Sequence, residues 1–378
     1  MVRFSRWLHR SQPPGVTDAT AYGVWEHYQV GSGGAINSQT HALLWAGTAA
    51  SVVDLHPAGF TSSVARDISS SGQVGIASSS GRTYAMLWGG TAASAINLHS
   101  VSFTDTYAAA IGDASQVGSG TLNTAGFPRH ALLWRGTADS VVDLNPVGFN
   151  ESAARDVSGD IQVGDGKGPA TNFATHALLW HETAGSVVDL HPLGYSSSVA
   201  WSVEGNTQVG YGDGRALLWH GTAVSVVDLH SFLTNLPVTI VRSSALGVNS
   251  RGDVVGVGFD TNGAAHSLLW ISVPEPSTTM LLAGILICSC GRPRSRLLRR
   301  IPLLLRLSWR LHGSNLRPPQ HRSDHVRRPA TLAIGRDRQH TALSIDPNRR
   351  RRRPAHHRCP GKLRSQWNDP GAFAFVVL

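Results

Sequence analysis

A chain of 378 residues with 40 glycines and only 15% charged residues favours turns and short strands over helices. Its formal charge of +9 is unevenly placed: residues 301–378 carry 16 Lys and Arg against four Asp and no Glu, whereas residues 1–291 carry 12 basic and 20 acidic residues. An acidic body lacks the concentrated positive surface that phosphate binding needs, so no nucleic-acid role is expected of it.

Residues 1–20 read as an irregular N-terminal segment. Arg3, Arg6 and Arg10 lie there, but no apolar run of roughly 7–15 residues, the core of a secretory signal, follows them. From residue 21 to residue 271 the chain repeats. The marker is a strand ending in tryptophan, His41-Ala-Leu-Leu-Trp45, echoed at Trp88, Trp134, Trp180, Trp219 and Trp270. Successive tryptophans lie 43, 46, 46, 39 and 51 residues apart, the period of four-stranded propeller blades.

Within each period the same segments recur in order. A segment such as Ser63-Val-Ala-Arg-Asp-Ile-Ser69 comes first, then Gln-Val-Gly (Gln29, Gln73, Gln116, Gln162, Gln208; Val254 in the last copy), then the marker. A fourth segment, Ser51-Val-Val-Asp-Leu-His56 and its echoes, follows a Gly-Thr-Ala turn. Each is four to seven residues long, rich in Val, Leu, Ile and Trp, and bounded by turn residues, which reads as strand. His41, Leu43 and Trp45 face one way and Ala42 and Leu44 the other, so both faces are apolar, as in sheets covered on both sides. Pro57-Ala-Gly59, Pro146-Val-Gly148 and Pro192-Leu-Gly194 end the unit as turns, each followed by an aromatic expected between units.

The expected fold is all-β: tandem four-stranded repeats forming a six-bladed β-propeller, closed or incompletely closed, with an open solenoid as the structural alternative. Copy six runs from Trp270 straight into Ser272-Val-Pro-Glu-Pro, so its fourth strand is expected to be missing. Either Asp18–Tyr22 closes the ring or the true start lies upstream.

The recurring His-Ala-Leu-Leu-Trp with Gln-Val-Gly resembles the HAF family of extracellular repeats, over two-thirds of the chain, with Leu where that family has Phe. The resemblance implies location more than mechanism. Residues 272–300 carry a sharper one. Val273, Pro274, Glu275, Pro276 and Ser277, then the apolar run 280–290, then Arg292, Arg294, Arg296, Arg299 and Arg300 are similar to a PEP-CTERM sorting signal. That resemblance implies a short apolar helix entering the bilayer with arginines on the cytoplasmic side. It also implies an exosortase-type processing enzyme as partner. Transient membrane attachment and then a surface or extracellular location follow from the same likeness. Residues 301–378, with Arg349–Arg353 consecutive, read as a disordered basic arm or as a frameshift or read-through product.

Chemistry-bearing clusters are sparse. Cys288, Cys290 and Cys359 have neither zinc spacing nor a disulfide framework. His41, His130, His176 and His266 give way to Tyr84 and Arg215 in the other copies, which favours stacking or hydrogen bonding over metal binding. Asp54, Asp143, Asp189 and Asp228, with Asn97, suit a strand-end residue bonding the next turn better than a calcium ring. No catalytic motif, metal site or cofactor site is expected. The leading expectation is a non-enzymatic surface or extracellular-matrix protein, with extracellular polysaccharide as a candidate ligand. The alternative is a secreted propeller enzyme, lyase or glycosidase, acting on polysaccharide, with repeat-breaking Asp105, Glu151, Glu204 and Asp260 as first candidates.

Overall fold

The computed structural model describes residues 16–34, 39–234, 236–273 and 374–377. They form six antiparallel four-stranded sheets and short 3-10 turns, with no α-helix among the described residues. The first strands of the sheets are Thr17–Trp25, Ser62–Ser69, Phe103–Ile111, Glu151–Ser158, Ser198–Glu204 and Ile240–Val248. The second strands carry Gln-Val-Gly and the third strands carry the tryptophan marker. Two-residue turns join many of these hairpins. Ser80-Gly81 and Asp213-Gly214 both place two residues at positive φ, the geometry whose twist matches paired strands.

The fourth segment is shorter than the sequence suggests. Only two residues pair in each of the first five copies, as at Val53–Asp54, because the stretch before them is a single 3-10 turn. The first serine of that segment holds the turn: Ser51 Oγ accepts the Ala46 N–H at 2.7 Å and donates to the Thr48 carbonyl at 2.7 Å. Ser94, Ser140, Ser186 and Ser225 repeat the arrangement.

Two terminal expectations change. Thr17–Trp25 is neither irregular nor a ring-closing strand; it is the first strand of sheet one and pairs with Tyr28–Gly34. The fourth strand expected to be missing from copy six is Ala374–Val377, which pairs with the edge of Ala265–Val273 in the register Trp270↔Val377 to Val273↔Ala374. A sheet edge offers unpaired N–H and C=O groups to any extended segment that reaches it, however distant in sequence.

Apolar side chains join the sheets in series. Val30, Ala42, Leu44 and Leu55 of sheet one meet Ala65, Ile68, Met86 and Trp88 of sheet two. The equivalent set recurs at every later junction, ending with Val209, Ala216, Leu218 and Leu229 against Ala245, Val254, Leu268 and Trp270. The aromatics after the Pro-x-Gly turns, Phe60, Phe149 and Tyr195, pack against these clusters. Both faces of the marker strands are therefore covered, and all six tryptophans are fully buried or nearly so.

The sheets do not close into a ring. No apolar cluster joins sheet six to sheet one among the described residues, and Val255 of sheet six is 52% exposed where its counterpart Val30 is fully buried. On sheet one, Tyr22 and Val24 are likewise exposed. The apolar run and arginine cluster of 274–300 and most of the basic tail lie outside the described residues.

Candidate functional site

Every first strand carries a β-bulge at the same place. In sheet two Ala65 pairs with Gly75 and Asp67 with Val74, leaving Arg66 unpaired between them. The bulged residue is Tyr22 in sheet one, Ala109 in sheet three, Arg155 in sheet four, Trp201 in sheet five and Leu246 in sheet six. A bulge re-aims its side chain off the ladder. Five of the six, Tyr22, Arg66, Ala109, Arg155 and Trp201, line one cavity of about 380 Å3. Tyr107, Ser119, Arg129 and the small residues Ala108, Ala153 and Ala154 complete its wall.

The bulge also explains the glycine of Gln-Val-Gly. It pushes the first-strand carbonyl onto the second strand, so a Cβ at Gly75 would lie 2.0 Å from the Val64 oxygen, and one at Gly164 would lie 1.9 Å from the Ala153 oxygen. The same clash recurs at Gly31, Gly118, Gly210 and Gly256. The glutamine before it caps a turn: Gln73 Oε1 accepts the Gly90 N–H at 2.8 Å, and Gln116, Gln162 and Gln208 do the same for Gly136, Glu182 and Gly221.

Within the cavity the three arginines differ. Arg155 is committed: its guanidinium lies 4.1 Å from the Trp201 ring centre and ion-pairs with the buried Asp165. Arg66 and Arg129 are exposed and meet no carboxylate or hydrogen-bond acceptor among the described residues. Beside the bulges, Asp67 accepts the Ile111 N–H at 2.9 Å and Asp156 accepts the Val203 N–H at 2.9 Å, each tying its sheet to the next. Burial raises both carboxyls; Asp156 reaches about 6, with the charge of Asp67 adding to the effect against the backbone hydrogen bonds that oppose it.

The repeated His and Asp residues make a separate, structural network. His41 Nδ1 lies 2.7 Å from Asp54 Oδ2, and Asp54 Oδ1 accepts the His56 N–H at 2.8 Å. His130–Asp143 and His176–Asp189 repeat the pair, Arg215 replaces the histidine beside Asp228, and Asn97 accepts the His99 N–H. His41 stacks on His56 at 4.0 Å and His176 on His191 at 3.8 Å. Burial lowers the affinity of His56 and His191 for a proton, and the neighbouring ring adds to this. His266 departs from the pattern and pairs with Asp260 at 3.0 Å. No cluster of three or more His, Cys, Asp or Glu positioned to hold a metal occurs among the described residues.

The repeat-breaking acids are scattered over four sheets. Asp105 accepts the Thr83 N–H, Glu151 pairs with Lys167 at 3.3 Å, Asp260 holds its own turn, and Glu204 is exposed at a strand end. None of the four lines the cavity. The bulge residues were missed by the sequence reading, although a signal existed. Five of them stand seven residues before the recurring glutamine and vary freely in a frame that is otherwise constant.

Comparison with known families decides the nature of the segment that follows sheet six. Residues 272–295 match the model of the PEP-CTERM protein-sorting motif. This stretch is a PEP-CTERM sorting motif. No curated protein matches the chain. Among solved structures, a puromycin hydrolase mutant complexed with PGG is similar at 10% identity and a TM-score of 0.32, over 69% of this chain; the chain spans about half (52%) of that protein. So low a score carries no argument about activity.

Val273 of the PEP-CTERM motif is the last residue of the third strand of sheet six. Pro274, Glu275, Pro276 and Ser277, and the arginines at 292, 294, 296, 299 and 300, lie outside the described residues. Among the described residues no helix is long and apolar enough to cross a membrane. The PEP-CTERM motif implies export, membrane-associated sorting and processing by an exosortase.

Proposed function

We propose that the chain is an exported cell-surface or extracellular-matrix protein whose propeller-like array of HAF-type repeats is a non-enzymatic binding module. The observation that carries this reading is the order of parts: six stacked sheets run directly into a PEP-CTERM motif at 272–295. A sorting motif placed after a folded array delivers that array to the outside, where a cavity open to solvent is available to ligands. The free arginines and aromatic side chains around the cavity support binding. The rival, a polysaccharide-cleaving enzyme, would need a positioned acid and base, and the four repeat-breaking acids lie apart and are mostly engaged in local structure.

The test has two arms. Replacing Pro274, Glu275 and Pro276 with alanine, in a bacterium that carries an exosortase, is expected to leave the protein unprocessed at the membrane and absent from the surface. An unchanged distribution sinks the sorting reading. Incubating the protein with acidic and neutral polysaccharides is expected to release no shortened products; turnover abolished by substituting Asp105, Glu151, Glu204 or Asp260 establishes the enzyme instead.

A further inference from the structure

We infer that the bulge-lined cavity binds a carboxylate-bearing saccharide, gripping the carboxylate with Arg66 and Arg129 and the sugar ring with Tyr22, Tyr107 and Trp201. This rests on the reading of the array as an exported binding module and names its ligand class.

Four observations converge. The cavity, about 380 Å3, lies within the roughly 300–1,000 Å3 range of small-molecule sites. Ala109, on the bulge of sheet three, contributes only a methyl group to its wall, where the neighbouring bulges carry Arg66 and Arg155. Arg66 and Arg129 line the cavity, and neither guanidinium has a partner among the described residues, in a body that is acidic in balance. A guanidinium fork matches a carboxylate with two parallel hydrogen bonds, and it is always charged. The carboxylates nearest the bulges do not oppose an anion there. Asp67 and Asp156 are turned to the Ile111 and Val203 amides, and Asp165 to Arg155.

The aromatic contribution selects the rest of the ligand. Ring faces carry negative quadrupole density and attract the slightly positive C–H bonds that line one face of a sugar ring. Tyr22 is 57% exposed, so its ring is available. Trp201 is held in place by the Arg155 guanidinium against its face, a fixed orientation that lowers the ordering cost on binding. Tyr22, Arg66 and Trp201 sit on bulges and Tyr107 and Arg129 on paired strands, so their spacing is set by the sheets and not by loops. A lone small carboxylate would use the arginines and leave the aromatics empty. A polyphosphate would place several charges where, among the described residues, two unpaired cations line the cavity.

The experiment uses the full-length chain and isothermal titration calorimetry with tetragalacturonate, its fully methyl-esterified form, and succinate. Tetragalacturonate is expected to bind, more weakly in high salt, while the ester and succinate bind at least about tenfold more weakly, the weight of one lost charge-assisted contact. Arg66→Ala and Arg129→Ala are each expected to weaken binding about tenfold, with Arg66→Lys in between. Arg135→Ala, which removes the Glu182 partner outside the cavity, is expected to bind as the parent chain does. No binding of tetragalacturonate, equal binding of the ester or of succinate, or parent-like binding by both cavity variants overturns the inference. Release of shortened oligomers would instead overturn the non-enzymatic reading and leave the binding site standing. Failure of surface delivery would do the same to the sorting reading.

Discussion

Gly75 illustrates how a single atom constrains the repeat. The bulge at Arg66 drives the Val64 carbonyl to within 2.0 Å of where a Cβ would lie, and that neighbour is backbone that cannot rotate away. Gly75→Ala is expected to destabilise the fold by on the order of 3 kcal/mol, read as a lower urea midpoint. Gly185→Ala, in open space at ordinary φ, is expected to be neutral or slightly stabilising. Equal effects at the two sites would remove the steric account of Gln-Val-Gly. Asp156 supplies a pH signature. Its folded carboxyl titrates at about 6 against 3.8 for the ordinary group, so the folded state binds the proton more tightly than the unfolded state. Stability therefore falls as pH rises from about 4 through about 6, because above that window the folded protein must hold a buried charge. Asp156→Asn is expected to flatten this slope in urea melts at pH 4.5 and 7, the first near the foot of the window and the second above it. A slope unchanged by the substitution would place the titrating group elsewhere.

Between elements, the recurring link is a buried hydroxyl. Ser63, Thr106, Ser152, Ser198 and Ser243 each accept the N–H of the alanine in the preceding sheet's marker strand, as Ser198 does from Ala177 at 2.9 Å. Ser198 also meets His191 Nδ1 at 2.8 Å, and His191 reaches the Tyr195 carbonyl, so one side chain couples two sheets and a turn. Ser198→Ala is expected to cost about 1–3 kcal/mol, since it leaves the Ala177 N–H buried without an acceptor. Chemical denaturation gives that value directly; a loss no larger than that of an exposed serine such as Ser102 would show the link to be incidental. The strands themselves were legible from period and composition, because alternation and turn residues act over neighbouring positions. The hydroxyl was not: its partner is 21 residues away and its role depends on how sheets stack.

The whole array is a series of neighbour contacts, with five apolar junctions holding six sheets. In such an arrangement the end units have one neighbour each and open first. Hydrogen exchange is expected to be slowest at Val163 and Leu179, in sheet four, and faster at Val255 and Leu269 in sheet six. Uniform protection across the sheets would instead mean that the ends are joined in solution. The PEP-CTERM motif belongs to this scale as well, since it directs the array as one piece of cargo.

The number of units, the strand order, the turn glycines and the sorting motif were determined by the sequence alone. Each rests on residues close together in the chain, where alternation, φ preference and motif spacing act locally. Tertiary structure decided what needed distant chain to meet. Tyr22, Arg66, Arg155 and Trp201 occupy one cavity only because four bulges on four sheets turn toward it. Ala374–Val377 completes sheet six although about 100 residues separate it from its partner strand, and Val255 stays exposed because no neighbouring sheet among the described residues covers it. The elevated Asp156 carboxyl follows from burial, a property that no single strand possesses before the sheets are stacked.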